Sequence, residues 1–242
     1  MWRGRRGRVV TDIPEPPLSA TIDGLFIGAV EERWPGRPAS AIGKRATSDR
    51  LEITPTGFVR DAQADLEVHG GPEKAIHHYP GDHYPAWRKE FGREDLVPGS
   101  FGENVSTSGL TEENLCIGDI LSFGTATVQV SQGRQPCWKL SAHTGDERMA
   151  FLFQKTLRTG WYYRVLEPGH ARSGDRMVLE ERRNPGWTVK RVTQARLTRR
   201  IGAADAAILA AMPELYAGWR EAFGRMAGGN DREDTAARLQ GN

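Results

Sequence analysis

Apolar residues recur first at the spacing of strands and later at that of helices. Ile22, Leu25, Phe26, Ile27 and Val30 mark a first strand with a glycine-containing turn. Leu51 and Ile53, then Gly57, Phe58 and Val59, predict further short strands separated by Pro55. The run from Lys74 to Tyr79 predicts a strand ended by Pro80. From Asp82 to Phe91 the pattern becomes helical, with Asp82 as N-cap and Gly92 behind the last turn. Tyr84, Trp87 and Phe91 recur there at helical spacing, which predicts core packing. The β-prone runs on either side of Gly124-Thr125 predict a hairpin. An amphipathic helix follows from Asp146 to Leu157, then a strand over Trp161 to Leu166 and a last strand at Met177 to Leu179.

Beyond Asn184-Pro185-Gly186 the pattern is helical. Thr188 to Arg196, Ala203 to Met212 and Pro213 to Met226 predict three helices, with Pro213 in the first turn of the third. Residues 1–18 predict a disordered arm and 229–242 a flexible tail. The expected fold is mainly β with helices (α+β). A β-rich domain over 19–183 is followed by a three-helix module over 187–228. Spacing leaves a closed barrel and a sandwich both open.

Composition supports the β-rich reading, since 28 glycines and 14 prolines imply many turns. A net charge of +2 is no argument for nucleic acid, and the arginine runs read as solvated faces. The segment from Ala203 to Met212 is almost wholly apolar, which argues against a helix-turn-helix reader. Two cysteines exclude a disulfide framework and fit a reducing compartment. No secretory h-region and no membrane-length apolar stretch is visible, so a cytoplasmic protein is expected. Walker, GxGxxG and GxSxG motifs are missing, against a nucleoside triphosphatase, a Rossmann dehydrogenase and a serine hydrolase.

Three segments offer chemistry. Cys137 follows a strand in a turn with Gly133 and Pro136, and has Arg134 and Lys139 nearby. Neighbouring cations favour thiolate, the form that binds soft metals, although an inert loop cysteine stays open. Cys116, between Leu115 and Ile117, reads as structural. His69, Gly70, Gly71, Pro72, Glu73 and Lys74 form a tight loop whose backbone and lysine suit an anion, with a plain turn as the alternative. Phe101 to Leu110 is a polar loop offering Glu103, Asn104, Ser106 and Thr107, with Thr111 as a helix cap behind it. Four histidines lie between 69 and 83, without the spacing of a zinc site. His77 and His78 are neighbours on a strand, so at most one of them faces a given site.

In combination VHGGPEKAIHHYP (68–80), FGENVSTSGL (101–110) and IGDILSFGTATVQVSQGRQPCWKL (117–140) resemble the MOSC-domain family in its YiiM-type branch. The resemblance runs from about Gly28 to about Arg183, and the helical tail resembles the module found after that domain in the same branch. It implies a β-barrel that binds the molybdenum cofactor, with Cys137 as the metal ligand. It also implies detoxifying reduction of N-hydroxylated bases such as 6-hydroxylaminopurine. On that reading Lys74, Arg134 and Lys139 neutralise the cofactor phosphate, and Gly70 and Gly71 give it room. Asn104 and Thr107 bond the pterin, and His69 donates a proton. Electrons are expected from a separate reductase, a flavoprotein, because no flavin, nicotinamide or iron–sulfur fingerprint is present. A homodimer is the expected assembly. The competing expectations are a sulfur-transfer protein carrying a persulfide on Cys137, and a non-catalytic cofactor carrier.

Overall fold

The computed structural model describes residues 17–65, 70–229 and 238–239. The first strand, β1 (Ser19–Ile27), alternates buried and exposed positions. After it come β2 (Arg45–Thr47), β3 (Leu51–Thr54), β4 (Gly57–Phe58) and β5 (Ile76–Pro80). Helix α1 (Tyr84–Phe91) leads to β6 (Val105–Thr107) and to the hairpin of β7 (Ile120–Phe123) and β8 (Ala126–Gly133). Helices α2 (Trp138–Thr144) and α3 (Met149–Thr156) precede β9 (Trp161–Glu167), β10 (Gly169–Ala171) and β11 (Arg176–Glu181). The chain ends in α4 (Val189–Thr198), α5 (Ala203–Ala210) and α6 (Ala217–Ala227).

Seven strands close into a barrel in the order β11-β7-β8-β9-β5-β6-β1, the last pairing back on β11, and β2 extends β1. Closure depends on β1 changing partner along its length. Ser19 to Thr21 pair with β11, and Ile22 to Leu25 pair with β6 after a register shift between Ile22 and Gly24. Such an irregularity bends a strand and lets one segment serve two neighbours. Of the barrel pairings only β5–β6 is parallel. A separate small sheet, β10-β3-β4, lies outside the barrel order.

The barrel and the C-terminal helices share one apolar core. Leu121, Val128, Val130, Trp161 and Tyr163 from strands join Val192, Leu209, Trp219 and Phe223 from helices. A second cluster of Tyr79, Tyr84, Trp87, Phe101 and Phe153 packs under α1 and α3. Among the described residues no helix is long and apolar enough to cross a membrane.

Several boundaries differ from expectation. Val30 lies outside β1 and is exposed. Lys74 ends a 3₁₀ turn (Pro72–Lys74) ahead of β5 instead of joining it. Asp82 does not cap α1. It sits in a second 3₁₀ turn and accepts the Gly109 N–H at 2.9 Å, while Gly92 ends the helix in the left-handed region as anticipated. Asp146 lies ahead of α3 and accepts the Arg148 N–H. Thr111 opens a turn, not a helix, and Pro213 belongs to the turn between α5 and α6. Short β2, β6, β10 and α2 went unforeseen because three to seven residues carry too little periodicity. The predicted terminal arm and most of the tail lie outside the described residues.

Candidate functional site

Where β8 ends the chain leaves the barrel, and Cys137 occupies the N-cap position of α2 with extended backbone (φ −134°, ψ 172°). The preceding residues stay tied to the barrel. The Arg134 N–H donates to Gly160 O at 3.0 Å, and its guanidinium Nη1 donates to Phe101 O at 2.6 Å. These contacts fix one wall of a cleft that opens to solvent at its mouth. Arg134, Cys137 and Lys139 contribute from this wall, Lys74 from the 3₁₀ turn, and His77 and Tyr162 from paired positions on β5 and β9. The opposite wall comes from the segments around Lys44 and Asp61.

Four cations line the cleft (Lys44, Lys74, Arg134, Lys139), against two carboxylates (Asp61, Asp65). Lys44 is paired: its Nζ reaches both Asp61 oxygens at 2.6 and 2.7 Å. Burial pushes the Lys44 ammonium below its ordinary range, against the pull of Asp61. Lys74 is likewise pushed down by burial, opposed by Asp65 and Glu73. A surplus of cations in a partly dry cleft favours an anionic ligand.

His77 is buried, and burial holds its pKa well below the ordinary value, with Arg134 adding to the effect. The ring bonds the Gly102 carbonyl and lies 5.0 Å from the Tyr162 ring, while its Nε2 has no partner among the described residues. A neutral ring that donates to a carbonyl presents its other nitrogen as an acceptor.

The residues singled out in the sequence separate into groups. Cys137, Lys74, Arg134, Lys139 and Asn104 all line the cleft. Asn104 has little left for a ligand, however. Its Nδ2 donates to Phe26 O and Asp61 Oδ2, and its Oδ1 accepts the His77 N–H. It frames the cleft. Thr107 does not reach it: the side chain turns into the barrel, fully buried, with Oγ1 3.0 Å from His78 Nε2. Gly70 and Gly71 are also outside the lining, and what they approach is Gln63. A β-carbon on Gly70 would meet Gln63 Oε1 at 2.3 Å, and the Gly71 N–H donates to that oxygen at 3.0 Å. His69 lies outside the described residues. Cys116, ahead of β7, is a buried free cysteine whose backbone pairs with that of Thr188, and burial pushes its thiol up.

Lys44, Asp61, Tyr162 and His77 were not assigned from sequence. Strand alternation had allowed one of His77 and His78 a site, but it could not say which. Lys44 and Asp61 meet only through the fold, 17 residues apart. Among the described residues no cluster of three His, Cys, Asp or Glu could hold a metal ion.

The family model described as MOSC domain matches residues 65–178. Protein YiiM of Escherichia coli (strain K12) is 44% identical over 147 residues, 60% of this chain and 65% of that protein, just under two thirds of its length. The uncharacterized protein YflK of Bacillus subtilis (strain 168) is 40% identical over 190 residues, 76% of this chain and 83% of that one. A Gibberella moniliformis protein named Reductase is 40% identical over 167 residues, 66% of this chain but only 30% of its own length. The crystal structure of YiiM from Escherichia coli superposes with a TM-score of 0.77 at 30% identity, covering 92% of this chain and 99% of that one. Motifs, barrel and relatives agree, and the chain belongs to the MOSC-domain family, in its YiiM-type branch.

Proposed function

We propose that the cleft binds a phosphate-bearing molybdenum cofactor through Cys137 and reduces N-hydroxylated bases and related small molecules. The observation that carries this reading is one cleft holding a cysteine and four cations. The donor set fits such a group. Thiolate is a soft ligand for a heavier transition metal, Arg134 suits bidentate contact with phosphate, and Lys74 and Lys139 add point charges. The unpartnered Nε2 of His77 gives a neutral acceptor for a ligand N–H or O–H. The fungal relative named Reductase supports the oxidoreductase class.

When bound, the metal would supply a two-electron centre with an open position for substrate. The overall change breaks one N–O bond: R–NH–OH, two protons and two electrons give R–NH₂ and water. The protein's own part is to hold and orient. Cys137 anchors the metal, the cations hold the phosphate, and the Asn104–Asp61–Lys44 network keeps the far wall in place. His77, held neutral at physiological pH, serves as acceptor rather than acid. His69 is the proposed proton donor, because an unperturbed imidazole titrates near neutrality. A separate flavoprotein reductase is the proposed electron source.

The test is molybdenum content by elemental mass spectrometry, on wild type and Cys137→Ala purified from a host that makes the cofactor. Stoichiometric metal in wild type only, with 6-hydroxylaminopurine reduced when a reductase is supplied, is the expected result. Metal and N-reduction both surviving in Cys137→Ala would sink the assignment. A stable extra sulfur on Cys137 without molybdenum would transfer it to sulfur transfer.

A further inference from the structure

We propose that the C-terminal module braces the binding site from behind its lining, with Tyr216, just ahead of α6, as the positioning residue that holds Lys74 in the cleft's cationic wall. This rests on reading the cleft as a site for a phosphate-bearing ligand.

The Lys74 ammonium lies 4.4 Å from the centroid of the Tyr216 ring, a cation–π contact. Lysine has a long flexible stem, and an aromatic face restrains its end without adding a negative charge. A carboxylate in the same place would cancel the charge that a phosphate needs. Asp65 and Glu73 attract Lys74 as well, so the ring supplies position more than charge balance.

Tyr216 is itself anchored to the turn that carries Lys74. Its N–H donates to Ser131 O on β8 at 2.9 Å. The next residue, Ala217, donates its N–H to Glu73 Oε2 at 3.2 Å. The other Glu73 oxygen accepts Arg164 Nη2 at 2.5 Å, and Ser131 Oγ donates to Glu73 O at 2.6 Å. One network therefore joins the start of α6, strand β8 and the 3₁₀ turn. Gly218 serves the same arrangement. A β-carbon there would come within 2.7 Å of Tyr216 Cε1, so the glycine leaves room for the ring. The contacts link the residue ahead of the module's third helix to a residue of the cleft lining.

The experiment uses the full chain purified without cofactor and inorganic pyrophosphate as the probe, by isothermal titration calorimetry, with thermal unfolding of every variant alongside. Lys74→Met weakens binding. Tyr216→Leu weakens it by roughly threefold to tenfold, the scale of a cation–π contact. Tyr216→Phe keeps the ring face and restores wild-type affinity, which a loss of folding would not allow. Gly218→Ala, which displaces the ring while favouring the helix, weakens binding like Tyr216→Leu. The double variant Tyr216→Leu with Lys74→Met binds no more weakly than Lys74→Met. Wild-type affinity in both Tyr216→Leu and Gly218→Ala, with Lys74→Met impaired, overturns the positioning role and leaves the site reading intact. No pyrophosphate binding by wild type overturns both.

Discussion

Strand β5 carries two adjacent histidines with opposite surroundings. His78 points into the barrel, its Nδ1 3.1 Å from the Tyr163 hydroxyl and its Nε2 3.0 Å from Thr107 Oγ1, with the Trp161 ring 4.3 Å away. Both nitrogens are satisfied and the side chain is fully buried. His77 faces the cleft among Arg134, Lys44 and Tyr162, with Nε2 unpartnered among the described residues. Interiors leave few polar atoms without partners, because each costs free energy. Between these two histidines, the unpartnered nitrogen is the one on the face that a ligand can reach. Position along a strand, not residue type, decides which histidine is structural.

The contrast breaks most visibly at His78. Replacing it by alanine removes a packed ring and strands two buried hydroxyls, for an expected loss of about 3 kcal/mol, or roughly 6–12 °C in Tm. Urea unfolding checks this, and a loss below about 1 kcal/mol would show that the interior network contributes little.

The pH dependence of stability tests the same residue without removing it. Burial lowers the His78 pKa to about 3, whereas an unfolded histidine titrates near 6.5. Between those values the unfolded chain holds a proton that folded His78 refuses. Stability therefore falls as pH drops from about 6.5 toward 3, and is unaffected above that window. In His78→Gln the dependence of unfolding free energy on pH is shallower by one proton across the window. An unchanged slope would mean that His78 is protonated in the native state.

Long strands and the stronger helices were legible from sequence, since Ile22 to Ile27, the hairpin around Gly124 and the tail helices have clear periods. The barrel closure was not, because it depends on β1 switching partners between Thr21 and Ile22, a long-range choice with no local signature. In the site, local charge around Cys137 pointed to Arg134 and Lys139, and both line the same cleft as the cysteine. Thr107 and Gly70 lie outside the cleft lining for a common reason. A polar or small residue in a promising segment can be used up by the protein itself, here by His78 and Gln63. Lys44 and Asp61 sit in segments with no motif, and only folding makes them a buried pair.

The same comparison repeats one strand over on a smaller scale, and so provides its finest test. Tyr162 and Tyr163 are neighbours on β9, paired with His77 and Ile76 respectively. Tyr163 is fully buried and its hydroxyl bonds His78, so Tyr163→Phe leaves one His78 nitrogen without a partner and costs about 1–2 kcal/mol. Tyr162 lines the cleft, and no hydrogen bond among the described residues uses its hydroxyl. Tyr162→Phe keeps the ring against His77 and shifts stability by less than about 0.5 kcal/mol. Both variants are isosteric apart from one oxygen, so urea midpoints measured side by side isolate the two hydroxyls. Equal losses would mean that the cleft face is bonded as completely as the barrel interior, and the distinction between the two faces of β5 would then be one of exposure alone.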